Sequence, residues 1–422
     1  MLRALSLALV LLAGAPAQAE LRGHGGPVRA LASSPDGRLA ISGSFDQSAI
    51  LWDVQGGAAL AVLRFHEGAV NAVAALPDGR FASAGEDGKI ALWRVGRGEP
   101  EQVIAAHQGP IAGLAVSRDG ATIASASWDG TARLTPLAGG EARVLSGHVG
   151  NVNAVAFLPD GRIATAGYDA TLRIWPRENG DPVVHQQPTP LNGVAAAPDG
   201  EIVVGGADGS VRILKSDGSK RAELETGATP VIGLALSPDG ARIAAATIGG
   251  SVAIVERSSA KILFSLVGPG LPVWSLAFRP DGKELLTGGS DRLVRRWSMA
   301  TGEHIGAVLL SKPEDFLAGF RGDRGAEVFQ ACAACHTLTP DGGNRAGPTL
   351  HGVFGRRIAT LPTYNFSPAL KNLDIVWNAQ TISKLFEVGP MQYTPGTKMP
   401  EQVIGNPADR EALVRFLERA TR

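Results

Sequence analysis

The chain is poor in sulfur and in aromatic rings. Its 422 residues include two cysteines, four methionines and three tyrosines, and Phe, Trp and Tyr together make up 5%. So few cysteines exclude a disulfide-rich scaffold, and no second pair is present to complete a zinc site. Net charge is lacking too: 40 Lys and Arg balance 40 Asp and Glu. The total charge therefore gives no footprint for nucleic acid or an anionic membrane surface. Long apolar runs are absent, since the richest one, Leu5 to Leu12, falls far short of the roughly 20 residues that span a bilayer.

That run has another reading. Arg3 precedes it and Ala17-Gln18-Ala19 follows it, which is the pattern of a signal peptide over residues 1–19 with cleavage before Glu20. No cysteine follows the cleavage site, so a lipoprotein is not expected. The expected address is the periplasm or the outside of the cell.

What the chain does have is length, glycine and one sulfur motif. A chain of 422 residues implies two or three domains. Both cysteines lie in Cys332-Ala333-Ala334-Cys335-His336. A cysteine pair at this spacing, followed at once by histidine, is what covalent attachment of a c-type haem requires. Two thiols add to the vinyl groups and the histidine becomes an iron ligand. A thioredoxin-like pair would need a βαβ setting instead, and none is evident.

Between Glu20 and Leu310 the sequence repeats itself. Pro35-Asp36-Gly37 returns as Pro77-Asp78-Gly79, Arg118-Asp119-Gly120, Pro159-Asp160-Gly161, Pro198-Asp199-Gly200, Pro238-Asp239-Gly240 and Pro280-Asp281-Gly282. The period of about 41 residues is that of a four-stranded propeller blade. Each copy is a tight turn, with an apolar strand before it and a strand of Ala, Ser and Gly after it. Small residues there suit a place where neighbouring sheets crowd together.

With Gly23-His24 and Gly147-His148 set against Asp46-to-Trp52 and Asp169-to-Trp175, this region resembles the WD40 family. The resemblance implies an all-β, seven-bladed propeller over 20–310. It weakens where Leu214 and Val255 replace the closing tryptophan and Gly249-Gly250 the turn aspartate. The last blade is expected to complete itself with Glu303 to Leu309 rather than borrow an N-terminal strand. The family also implies that His24, His66, His107 and His148 each brace the turn aspartate of their own blade instead of gathering round a metal. Arg292, Arg295 and Arg296 read as the solvated face of a strand. In WD40 proteins the residue before the turn aspartate and one near the start of the inner strand face the narrow top of the ring. Here these are Phe45, Glu86, Trp128 and Tyr168, with Arg29, Asn71, Asn153, Asn192 and Trp274. Such rings and polar groups suit partner docking, unless the rings fold down and seal the channel.

After a linker at 311–321, residues 322–422 resemble class I cytochrome c of the mitochondrial and bacterial c2 kind, an all-α fold. The motifs are Cys332 to His336, Gly347 to Arg356, Trp377 and Tyr393 to Pro400. The resemblance implies haem c on Cys332 and Cys335, with His336 as one axial ligand. Of the methionines beyond Met1, Met299 lies in the repeats and Met391 follows Gly389-Pro390, whereas Met399 stands in the family's distal loop and is the expected second ligand. By position, the Pro348 carbonyl should hold His336, Arg356 and Trp377 should reach a haem propionate, and Lys398 should lie near the exposed haem edge. Phe366 and Phe386 stand where hydroxyl-bearing tyrosines are common, so the family's potential does not carry over. The terminal helices should cross at Gly325.

The function expected is one-electron transfer by a monohaem cytochrome, with the propeller docking a redox partner. The competing reading is a haem-containing oxidoreductase whose propeller holds a second cofactor or a substrate site. Quinohaemoprotein alcohol dehydrogenases join a propeller to a cytochrome in that way, but on eight blades without WD40 repeats.

Overall fold

The computed structural model describes residues 20–305 and 317–422, except 228, 269, 330–331, 334–335, 340–346, 363, 365, 367, 396, 398 and 400–402. The segment read as a signal peptide, most of the linker, Cys335 and Lys398 therefore lie outside the described residues.

Seven four-stranded antiparallel sheets form the N-terminal domain. Their inner strands begin at Val28, Val70, Ile111, Val152, Leu191, Val231 and Val273. Each inner strand packs on the next, and that of the seventh sheet packs back on that of the first. The ring is closed, as the repeat count implied. In the Pro-Asp-Gly turns the glycines take φ between 66° and 91°, and Asp36 accepts a bond from the Arg38 amide at 3.0 Å. The turns are therefore built as their residue types dictate. Second strands such as Phe81–Gly85 and Ile163–Gly167 are buried throughout. A β-carbon at Gly43 would meet Val70 of the next blade at 2.7 Å, which is why small residues occupy these strands.

Closure differs from the expectation. Glu20–Arg22 forms a short strand on the outer edge of Leu293–Ser298, pairing Glu20 with Arg295 and Leu21 with Val294. Leu21 is fully buried between the seventh and first blades. Three residues suffice because one fully buried leucine and the ladder bonds anchor them, a gain of about 2 kcal/mol from that side chain alone. The stretch expected to complete the blade does return, but it makes only a bridge from His304 to Trp297 within the described residues.

The arginines of this blade also differ from the expectation of a solvated face. Arg296 is 4% exposed, pairs with Glu284 at 3.0 Å and donates to the Val54 carbonyl of the first blade at 3.0 Å. Arg295 pairs with Asp291 and lies 3.5 Å from Glu20. Ion pairing draws both inward, across the seam where the ring closes.

The C-terminal domain is helical, with its longer helices at Ala379–Val388 and Pro407–Ala420 and a shorter one at Arg324–Phe329. Asn378 and Thr381 form a reciprocal capping box, and Asn406 caps the last helix ahead of Pro407. The first and last helices cross at Gly325, where a β-carbon would come within 2.1 Å of the Ala412 carbonyl oxygen. Arg324–Asp409 at 2.8 Å and Arg419–Asp323 flank the crossing. Phe329, Leu413 and Phe416 are fully buried beneath it. No helix among the described residues is long and apolar enough to cross a membrane.

Candidate functional site

A single cavity brings together Cys332, His336, Pro348, Arg356, Trp377 and Met399 of the helical domain, and Phe45, Gln47, Ala69 and Glu86 of the propeller also line it. The helices supply Ile382, Leu385, Phe386 and Leu413 to its apolar wall, and Leu350 joins them from the loop after Pro348. Cys332 follows the first helix and is 7% exposed. His336 also lines the cavity, and its Nδ1 is 2.8 Å from the Pro348 carbonyl oxygen. Nδ1 must therefore carry the proton, and Nε2 carries the lone pair.

Arg356 and Trp377 are brought to one rim by backbone pairing. The Gly355 amide donates to Trp377 O at 2.7 Å, the Trp377 amide to Arg356 O at 3.0 Å, and the Ile358 amide to Ile375 O at 2.8 Å. The Arg356 guanidinium donates to the carbonyls of His351 and Thr349, each at 3.0 Å. Burial lowers its pKa. Arg356 thus braces the loop after Pro348 as well as lining the cavity. Met399 is partly buried against the same core, and its amide donates to Thr397 Oγ1 at 3.1 Å.

Sequence reasoning missed Tyr364. It borders the cavity and meets Phe366 edge-on, with centroids 4.8 Å apart. The signal was available: a phenol two residues before the phenylalanine that replaced the expected one.

The donor set fits a haem. An imidazole with a fixed tautomer and a thioether line one apolar space that also receives a buried thiol. Imidazole and thioether are the pair that holds a haem iron in electron-transfer proteins.

In the propeller the histidines brace turns, as expected. His24 Nδ1 lies 3.0 Å from Asp46, its Nε2 lies 2.6 Å from Ser42 Oγ, and Trp52 donates to the same hydroxyl at 2.7 Å. The set recurs as His66–Asp87 with Ser83 and Trp93, and as His148–Asp169 with Thr165 and Trp175. The third blade has His107, Asp129 and Ser125. An Asp–His–Ser chain is also the arrangement that activates a nucleophile, but these serines are fully buried and two carry an indole N–H. No metal-binding cluster occurs among the described residues.

The four aromatic residues on the propeller top divide into two kinds. Trp128 is 43% exposed and Tyr168 63% exposed. Trp274 instead donates to Ser290 Oγ at 2.9 Å and meets Phe45 edge-on at 6.2 Å. The first two project, and the second two fold onto each other.

A ring of repeat blades joined to a helical domain with a haem cavity defines a propeller–cytochrome fusion. Comparison with known proteins gives both halves a family. The model for WD domain, G-beta repeat matches residues 16–53, 57–94, 98–135, 139–176, 183–214 and 260–298. The model for cytochrome c matches residues 322–421. Cytochrome c of Cochliobolus lunatus is 42% identical over 100 residues, which are 24% of this chain and 92% of that protein. That of Gibberella zeae is 38% identical over 107 residues, 25% of this chain and all of that protein. That of Arabidopsis thaliana is 41% identical over 100 residues, 24% of this chain and 88% of that protein. The chain belongs to the WD40-repeat family through its propeller and to the cytochrome c family through its C-terminal domain, and it carries a covalently attached haem c.

Proposed function

We propose that the protein is an exported monohaem electron carrier whose propeller docks a redox partner. The observation that carries this reading is the shared cavity of His336 and Met399. Bound haem c supplies one-electron exchange between Fe(III) and Fe(II). Cys332 and Cys335 hold it through thioethers. His336 offers Nε2, and the Pro348 carbonyl on Nδ1 raises the basicity of the ring and fixes its orientation. Met399 offers sulfur, a soft ligand that favours the reduced state and raises the potential. Arg356 and Trp377 would hold a propionate, because a carboxylate leaving water needs charge-assisted donors. The apolar wall excludes water. His336 and Met399 would both hold the haem iron, and bound haem would then exchange electrons without making or breaking substrate bonds.

The proposed division is a propeller over 20–310 and a class I cytochrome c domain over 322–422. Export rests on the Arg3, Leu5–Leu12 and Ala17-Gln18-Ala19 pattern. Lys398 lies beside the methionine ligand in sequence and is offered as a contact for the partner.

Met399→Ala tests the ligand set. It should remove the near-infrared sulfur-to-iron band of the oxidised protein and lower the potential, and Met391→Ala should do neither. The opposite result would move the ligand to Met391 and dismantle this assignment.

A further inference from the structure

Each of the seven inner strands carries a register shift one residue after it begins. The shifts lie between Val28 and Ala30, Val70 and Ala72, Ile111 and Gly113, Val152 and Ala154, Leu191 and Gly193, Val231 and Gly233, and Val273 and Ser275. A bulge re-aims the extra side chain out of the ladder. The re-aimed residues are Arg29, Asn71, Ala112, Asn153, Asn192, Ile232 and Trp274 in blade order, one at the head of each inner strand.

Two of these side chains tie blades together. Asn153 donates to the Leu191 carbonyl and Asn192 to the Val231 carbonyl, both at 2.9 Å. Arg29 does not. Its guanidinium carbon sits 4.9 Å from the centre of the Trp274 ring, and it makes no hydrogen bond or ion pair within the described residues. The acidic residue of the next blade's top loop, Glu86, is turned to the Ala69 amide at 3.2 Å. Burial pushes the Arg29 pKa down to about 10, and no acidic neighbour offsets it. Arg29 remains partly exposed, and a cation that loses hydration without gaining an anion is costly.

We propose that Arg29, set over Trp274 at the head of the inner strands, binds the carboxylate of an acidic ligand. The guanidinium carbon lies over the indole, and the N–H fork of an unpaired guanidinium is what a planar carboxylate accepts. Trp274 is itself held by Ser290 and Phe45, so the platform is preorganised. Only one cation of the ring contributes, which suits a monoanionic carboxylate better than a phosphate dianion. Asn71, the next residue of the ring, has no side-chain hydrogen bond within the described residues and adds an amide donor. The assignment extends the docking reading to its chemistry, but the site stands whether or not the ligand belongs to a redox partner.

The test uses the full-length, haem-loaded, reduced protein with nitrogen-labelled arginine, followed by NMR. The probes are N-acetyl-Gly-Glu-Gly-amide, its Gln counterpart, succinate and inorganic phosphate. The Glu peptide should shift one arginine side-chain resonance saturably, the Gln peptide should not, and Arg29→Gln should abolish the response. Arg29→Lys, which keeps the charge without the fork, should weaken binding by about tenfold or more. Succinate binding as tightly as the Glu peptide assigns the site to a free dicarboxylate, and weaker binding assigns it to a peptide side chain. Tighter binding of phosphate, or an undiminished response in Arg29→Gln, would overturn the proposal. Arg29→Gln should melt no lower than the parent, and a large drop would show that Arg29 is committed to the fold instead. None of these readouts depends on electron transfer.

Discussion

Gly347 lies so close to the His336 ring that a β-carbon there would come within 2.3 Å of Cε1 and 2.7 Å of Nδ1. The next residue, Pro348, holds that Nδ1 through its carbonyl. A glycine that admits the ring and a carbonyl that fixes it are thus consecutive in sequence. Gly347→Ala should drive the imidazole off its seat. The expected cost is about 1–3 kcal/mol of stability, with a weakened low-spin spectrum and haem that stays covalently attached. Chemical denaturation and the optical spectrum check the two halves, and an unchanged spectrum would mean that the loop yields instead of the ring.

The propeller turns carry a pH dependence of known sign. Burial on its own would raise the Asp46 carboxyl, but bonds from His24 and Ser48 outweigh it and hold it at about 2. A carboxylate held below its unfolded value of about 3.9 stabilises the fold above that pH and loses the effect as pH falls through about 2. Asp46→Asn should therefore cost about 2 kcal/mol near neutrality, and the deficit should shrink across that acid window. Unfolding free energies of parent and variant, compared at pH steps, report this directly. A deficit independent of pH would show that the carboxylate's charge is not what matters.

Much of this organisation was legible because repeats and haem motifs are local in sequence. Seven Pro-Asp-Gly-type turns gave the blade count, and Cys332 to His336 with Gly347 to Arg356 and Met399 marked the residues that one cavity brings together. Less legible was whatever depends on the ring meeting itself. Glu20 and Arg295 are far apart in the chain, and a strand as short as Glu20–Arg22 has no periodicity to read. Likewise, the charge of Arg296 said nothing of its partner Glu284 or of Val54 across the seam. Exposed and folded aromatic rings also look alike in sequence. What separates Trp128 from Trp274 is a hydroxyl on Ser290 and a ring at Phe45.

That separation yields a prediction for docking. Trp128→Ala with Tyr168→Ala should slow electron transfer to the physiological partner by about tenfold or more if either ring is a hot spot. Haem content, potential and melting temperature should stay unchanged. Trp274→Ala should lower the melting temperature instead, because it removes the contacts to Ser290 and Phe45. Partner kinetics unmoved by the double change would place the docking surface elsewhere.

The central claim is that one covalently bound haem is the whole redox apparatus. An optically monitored electrochemical titration of the purified, exported protein, with haem quantified per chain, tests it most directly. The account predicts one haem c per chain, a single reversible one-electron wave, and six-coordinate low-spin spectra in both oxidation states. A second wave from a quinone or another haem, or a five-coordinate iron open to added ligands, would contradict it and point to an enzyme.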